Sequence, residues 1–228
     1  LGMFFGFHIV SHMAKREGMP VLELDRLLWY VVLGTIIGAR LGHCFFYEWD
    51  YYRNHLADIP KVWQGGLASH GGTIGVCLAL WLATKKGTIP YLWILDRVGI
   101  GAAFAGVFIR LGNFFNSEIV GLPTRQPWGV VFKAIDDIPR HASQLYEAMA
   151  YLVISAVLYL IYLRRYPKFR PGWLFAVSML LIFTARFVLE YFKLPPEPFT
   201  LPIPITMGQL LSLPIVAVAA FFAVRNVR

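Results

Sequence analysis

Charge is scarce in this chain of 228 residues. Asp, Glu, Lys and Arg make up 15% of it, against 57% hydrophobic residues. A soluble domain carries about 25% charged residues, so a water-facing globule is excluded. Cysteine is scarcer still. Cys44 and Cys77 both fall inside apolar runs, and no Cys-x-x-Cys or Cys/His metal spacing occurs. That excludes a disulfide framework and a zinc site and leaves two small buried side chains. No metal and no cofactor is expected. Long-period repeats, heptads and low-complexity tracts are absent as well, which excludes repeat architectures. Acidic residues are outnumbered, giving a net charge of +8. Such a balance raises nucleic acid as a partner. The basic residues, however, sit in short links between apolar spans, which is a topology signal; no nucleic-acid partner is expected.

The chain is rich in apolar windows near the ~20-residue length that crosses a bilayer. The pattern predicts seven spans, at 1–14, 24–46, 67–84, 91–116, 143–163, 172–192 and 206–224. Lys15, Arg16, Lys85, Lys86, Arg164, Arg165, Lys168, Arg170, Arg225 and Arg228 follow spans one, three, five and seven. The opposite links carry fewer basic residues, diluted by acids. The positive-inside rule then makes the first set cytoplasmic. The predicted fold is all-α: a polytopic membrane helix bundle of about seven transmembrane helices, start outside and end inside. A single transmembrane domain, 1–228, has extracytoplasmic loops at about 48–66, 120–140 and 193–205. Trp49, Tyr51, Tyr52 and Trp63 suit a headgroup-level aromatic belt. The third loop holds five prolines between 193 and 204 and cannot be helical throughout. Because Leu1 stands in mid-span, the first helix is expected to be incomplete. It is not expected to be a cleavable signal peptide, since no basic region precedes it and no small-residue cleavage site follows. Gly34, Gly38 and Gly42, then Gly71 and Gly75, then Ala102 and Gly106 recur every four residues. Small residues at that period predict close helix–helix approach.

The ionisable groups inside the spans fall mostly at one depth. With the orientation above, Arg40 and His43 lie in the outer half of span two and His70 at the outer end of span three. Arg110, Asn113, Asn116 and Glu118 close span four. Ser143, Gln144, Tyr146 and Glu147 open span five, and Arg186 and Glu190 lie in the outer half of span six. Only Asp96 and Arg97 stand in the inner half. A buried Arg costs ~2.5–3.5 kcal/mol at a helix centre on the insertion scale. Arg40, Arg110 and Arg186 are therefore expected to face a shared polar cavity, with Glu118, Glu147 and Glu190 as partners. Such a cavity suits a phosphate, since Arg offers paired donors to its oxygens. The bland alternative is that these charges only cement the bundle. Arg110 and Asn113 share a helix face, as do Arg186 and Glu190, whose spacing fits an ion pair. His70, at a helix start, is either a neutral general base or a hydrogen-bonded interfacial residue. Tyr146 either orients a headgroup or anchors the span.

Four stretches carry a family likeness. They are Arg110-Leu-Gly-Asn-Phe-Phe-Asn-Ser-Glu-Ile-Val-Gly121, Ser69-His70-Gly71-Gly72-Thr73-Ile74-Gly75, His141-Ala-Ser-Gln-Leu-Tyr-Glu147, and Arg186-Phe-Val-Leu-Glu190-Tyr-Phe-Lys193; Met207-Gly208-Gln209 fits too. Together they resemble the bacterial prolipoprotein diacylglyceryl transferase family, in order, over nearly the whole chain. The sequence departs from the usual pattern at Ile109, Ala142 and Lys193, where the family usually has Gly, Pro and Arg. The resemblance implies a seven-span inner-membrane enzyme. Its partners would be phosphatidylglycerol and a prolipoprotein signal peptide with a lipobox cysteine. It would move the diacylglyceryl group onto that thiol, make a thioether and release glycerol phosphate. Family roles map onto Arg110, Asn113, Glu118, Gly121, His70, Arg186 and Glu190.

These readings combine into a mechanism. His70 takes the thiol proton, because a thiol of pKa about 8.5 must ionise to attack carbon. Arg110 and Arg186 hold the phosphate and stabilise its developing charge, and Glu190 fixes Arg186. Asn113 and Asn116 orient the headgroup, and Gly121 permits a turn beneath it. Arg40, Glu118, Gln144, Tyr146 and Glu147 complete the binding set. The rival reading is a membrane lipid-binding carrier or transporter with a cationic headgroup site. Transporters, however, usually show repeated halves and midplane sites. An intramembrane serine protease lacks its nucleophile motif here.

Overall fold

The computed structural model describes residues 1–85, 87–194 and 205–225. Lys86, Arg228 and the proline-rich stretch 195–204 lie outside the described residues. Among the described residues are seven helices of 15 to 25 residues. They are α1 (Gly2–Arg16), α2 (Leu22–Phe46), α4 (Ser69–Thr84), α5 (Tyr91–Phe115), α6 (Ser143–Arg165), α7 (Trp173–Leu189) and α8 (Met207–Arg225). A single turn, α3 (Trp49–Tyr52), and a two-stranded ribbon, β1 (Val130–Val131) with β2 (Pro139–Arg140), fill the links. The helix bounds follow the predicted spans within a few residues. Five stretches are long and apolar enough to cross a membrane: α2, α5, α6, α8, and α7 with the turn that extends it to Phe192. The helices α1 and α4 have 15 and 16 residues, short of the ~20-residue span.

The chain forms two compact units, Leu1–Val10 with Asp96–Arg228, and Ser11–Leu95. In the second unit α2 packs on α4 along the predicted glycine seam. A Cβ on Gly34 would stand 2.7 Å from the Gly75 carbonyl oxygen, and one on Gly42 would stand 2.8 Å from Gly71 Cα. Where apolar lipid removes the hydrophobic drive, this backbone approach supplies the packing. Arg40, 3% exposed, turns its guanidinium into the link after α2. Its Nε donates to the Ile59 carbonyl (2.8 Å), one terminal nitrogen to Gly65 (2.6 Å) and the other to Asp58 (2.8 Å). Tyr52 lies against the same group, 5.0 Å from ring centroid to Cζ. Within that link, Lys61 and Tyr51 hold the Asp58 carboxyl below its ordinary pKa.

In the first unit the start of α1 packs on α5 through small residues, Gly2 against Ala105 and Gly6 against Gly101. Met179 and Phe183 of α7 form a core with Ala219 of α8. Asp96 and Arg97 have a structural use. The fully buried Asp96 carboxylate accepts from the Gly172 and Phe175 amides at 2.9 and 2.8 Å, and so caps α7. Arg97 lies 3.6 Å from Asp96 and beside the rings of Tyr162, Tyr166 and Phe169.

Candidate active site

The signature stretch ends α5 and makes an irregular turn. Ser117 and Ile119 both adopt positive φ, 57° and 53°, and the Glu118 amide donates back to the Asn113 carbonyl at 2.8 Å. This turn carries the side chains into a chain of contacts. An Arg110 terminal nitrogen donates to Asn113 Oδ1 (3.2 Å), and Asn113 Nδ2 donates to Glu118 Oε2 (2.6 Å). Asn116 Nδ2 donates to Glu118 Oε1 (3.3 Å). Gln144, fully buried at the start of α6, donates from Nε2 to the Glu118 carbonyl at 2.7 Å. Ser143 donates to the Ile119 carbonyl at 2.9 Å. These two residues hold the turn against α6.

Beneath the turn lies Glu147, 0% exposed. Arg110 Nε stands 2.9 Å from its Oε2. Its Oε1 lies 3.0 Å from Lys193 Nζ and 3.8 Å from an Arg186 terminal nitrogen. Lys193 also donates to Glu190 Oε2 at 2.9 Å, and Thr206 donates to Glu190 Oε1 at 3.3 Å. Tyr151 donates to Glu147 Oε1 at 3.4 Å. The cluster thus gathers three cations over two carboxylates, a surplus of one positive charge in a buried place. Two carboxylates do not fully balance three cations, so the cluster retains net positive charge among the groups it brings together.

The link between α5 and α6 is fastened beside this cluster. The Gly121 amide donates to the His141 carbonyl (3.0 Å), Leu122 to Phe192 (2.9 Å), and Leu194 to Val120 (3.0 Å). A Cβ on Gly121 would stand 2.7 Å from His141 Cβ and 2.8 Å from the Phe192 carbonyl oxygen. Glycine is therefore needed for this backbone junction, where the sequence suggested a turn under a headgroup. Tyr146 accepts from Trp128 Nε1 at 3.0 Å and meets His141 Nδ1 at 3.1 Å. Asp136 pairs with Arg140, and that guanidinium holds the Asp136 carboxyl below the usual carboxylate range.

Prolipoprotein diacylglyceryl transferase is the description of the family model that matches residues 1–225. The chain belongs to that family. A phosphatidylglycerol–prolipoprotein diacylglyceryl transferase of Tolumonas auensis is 46% identical over 216 residues, covering 94% of this chain and 83% of that protein. A protein of the same name from Chloroherpeton thalassium is 40% identical over 234 residues, covering all of this chain and 87% of its own length.

Against the residues selected from sequence, the structure brings Arg110, Asn113, Asn116, Glu118, Gln144, Glu147, Arg186 and Glu190 into the first unit's linked network. Gly121 and Tyr146 border it. Arg40 and His70 belong to the second unit. Arg40 serves the loop carbonyls described above, and His70 is 4% exposed in the first turn of α4. Two assignments change weight. Glu147 is the hub, and Glu190 faces Lys193 and Thr206. Lys193, by sequence an outer-half charge of span six at a position where the family usually has Arg, joins the same cluster. Its spacing of three from Glu190 at a span end was the available signal. The Trp128 contact to Tyr146 spans 18 residues and left no local pattern, whereas His141 and Tyr146 stand five apart in one of the family stretches.

Proposed function

We propose that this chain transfers the diacylglyceryl group of phosphatidylglycerol to the lipobox cysteine thiol of a prolipoprotein. The new bond joins sulfur to the glyceryl carbon, and the carbon–oxygen bond to phosphate breaks. Glycerol phosphate leaves with the electron pair, and the thiol proton passes to a base. The single observation that carries this reading is the buried surplus of positive charge formed by Arg110, Arg186 and Lys193 over Glu147 and Glu190. A phosphate monoanion balances it, and charge developing on the leaving oxygen is stabilised by the same groups.

Residue roles follow from chemistry. Arg110 and Arg186 bind the phosphate, with Glu147 and Glu190 fixing the cations. Asn113, Asn116 and Glu118 present hydrogen-bonding groups to the headgroup at the exposed edge. Gln144 secures the turn that carries them. Gly121 joins this turn to the segment after α7, and Tyr146 braces the adjoining loop. His70 is the candidate base on its position in the family motif. Arg40 acts through the loop it holds. The seven helices are proposed as seven spans with the start outside and the end inside, by the distribution of Lys and Arg. The setting is the bacterial cytoplasmic membrane, with chemistry near the outer leaflet.

The test is direct. Membranes bearing the protein are incubated with headgroup-unlabelled, glyceryl-labelled phosphatidylglycerol and a lipobox peptide. Label in a thioether on the peptide cysteine supports the proposal. Lipid binding or movement without label on the peptide would assign the protein to the carrier reading.

A further inference from the structure

We propose that the first turn of α8 positions the anion cluster: Gly208 admits the Glu190 carboxylate to the helix, and Thr206 aims it. This deepens the transferase reading and rests on it. The stretch Thr206-Met-Gly-Gln209 has the spacing of a capping box, and the structure forms one. The Thr206 amide donates to Gln209 Oε1 at 3.0 Å, and the Gln209 amide donates to Thr206 Oγ1 at 3.2 Å. A hydroxyl has one proton to give and two lone pairs to receive. With the Gln209 amide on its oxygen, Thr206 gives that proton to Glu190 Oε1 at 3.3 Å. The turn is also tied to α7. Gln209, 1% exposed, donates from Nε2 to the Phe187 carbonyl at 3.3 Å.

Gly208 stands where this turn meets the carboxylate. A Cβ there would lie 2.6 Å from Glu190 Oε1, 2.9 Å from its Cδ and 3.3 Å from Oε2. All three nearest atoms belong to one carboxyl group, so a larger residue moves Glu190. The consequence runs through two further contacts. Glu190 Oε2 accepts from Lys193 Nζ at 2.9 Å, and the same Nζ donates to Glu147 Oε1 at 3.0 Å. Glu147 in turn meets Arg110 and Arg186. When Glu190 is displaced, the Lys193 ammonium falls to Glu147 alone and competes there with both guanidiniums. Gly208 and Thr206 are thus positioning residues, acting through Glu190 and Lys193 on the arginines assigned to the phosphate. A glycine kept only for helix packing would reveal itself as lost stability on substitution. Here the atoms in the way are the end of a side chain, and Ala is favoured over Gly within a helix. Substitution should weaken the hold on an anion and spare the fold.

Binding of labelled glycerol phosphate to the full chain in detergent is measured beside the thermal midpoint. Gly208→Ala should weaken binding about tenfold, the lower end of what one hydrogen bond to a charged group is worth, with the midpoint held. Glu190→Asp removes one carbon where Gly208→Ala adds one. In the double variant the two losses should partly cancel, leaving binding tighter than their product, as residues in contact behave. Unchanged affinity in Gly208→Ala, or two losses that simply multiply, would overturn the proposal. A midpoint that falls while affinity holds is the signature of packing alone and overturns it too. Thr206 supplies the second test. Thr206→Ser keeps the donated proton and should bind as wild type, whereas Thr206→Val, of the same shape, should lose about tenfold. Equal affinity in these two variants would refute the aiming role. The readout is independent of transfer. Wild-type protein that binds glycerol phosphate but labels no peptide refutes the transferase reading alone; wild-type transfer with unaltered variants refutes this inference alone.

Discussion

Glu147 Oε2 lies 2.9 Å from Arg110 Nε, while Oε1 faces Lys193 at 3.0 Å and Arg186 at 3.8 Å. One fully buried carboxylate joins cations from α5, from α7 and from the chain that follows α7. Breaking a buried ion pair by removing one partner costs about 3–5 kcal/mol. Glu147→Gln should therefore lower stability by about that amount, read as a fall in thermal midpoint of the detergent-solubilised protein. An unchanged midpoint would mean that the three cations do not depend on this carboxylate.

Arg110→Lys keeps the charge and removes the planar fork that reaches Glu147 and Asn113 together. Hydrogen bonds to charged groups are worth about 1.5–3 kcal/mol, so transfer should fall roughly tenfold to a hundredfold. Near-full activity would refute the need for a forked donor.

His70→Gln tests the base. General-base catalysis contributes about a hundredfold to ten-thousandfold, so transfer should drop by that factor while phosphatidylglycerol binding persists. Transfer at the wild-type rate would show that another group accepts the thiol proton.

The glycine seam of the second unit makes a stability prediction. Gly75 lies against the Gly34 carbonyl and Gly38 Cα, with a Cβ at 2.9 Å from the latter. Gly75→Leu should cost about 1–3 kcal/mol, as overpacking does, and should reduce the yield of folded protein in membranes. Gly18, with no neighbour around its Cβ position but φ of +68°, should show only the backbone penalty of about 1–2 kcal/mol on change to Ala.

Acid should loosen the loop between α5 and α6. The Asp136 carboxyl is held below its unfolded value by Arg140. A depressed folded pKa contributes stability that is present above the unfolded pKa, about 3.9. It is lost as pH falls through the folded value. Protease cleavage of this loop should thus accelerate only in that acid range, and Asp136→Asn should be cleaved faster near neutrality with a flatter acid response. Identical pH profiles would separate loop order from this pair.

The sequence disclosed more of the fold than of the site's wiring. The helices were legible because apolar windows of span length leave little alternative, and the Gly34–Gly42 and Gly71–Gly75 repeats announced their own contact. Arg110, Asn113 and Glu118 were legible as a group because they crowd one turn. Glu147 was legible as a partner of the arginines, but its contact with Lys193 was not. Their pairing joins positions 46 residues apart, and helix spacing says nothing about such distances. The partners of Arg40 were hidden for a related reason. A lone Arg in an apolar span signals a buried polar demand, and here backbone carbonyls of an irregular loop supply it. The division into two compact units had no composition shift to reveal it.

Gly121 is stitched on both sides, to His141 through its amide and across to Lys193 as a β-bridge neighbour. The 120–140 segment is thereby joined through backbone to the residue whose ammonium meets Glu147 and Glu190. A displacement of that segment would reach Glu147 and Glu190 through Lys193, which contacts both carboxylates.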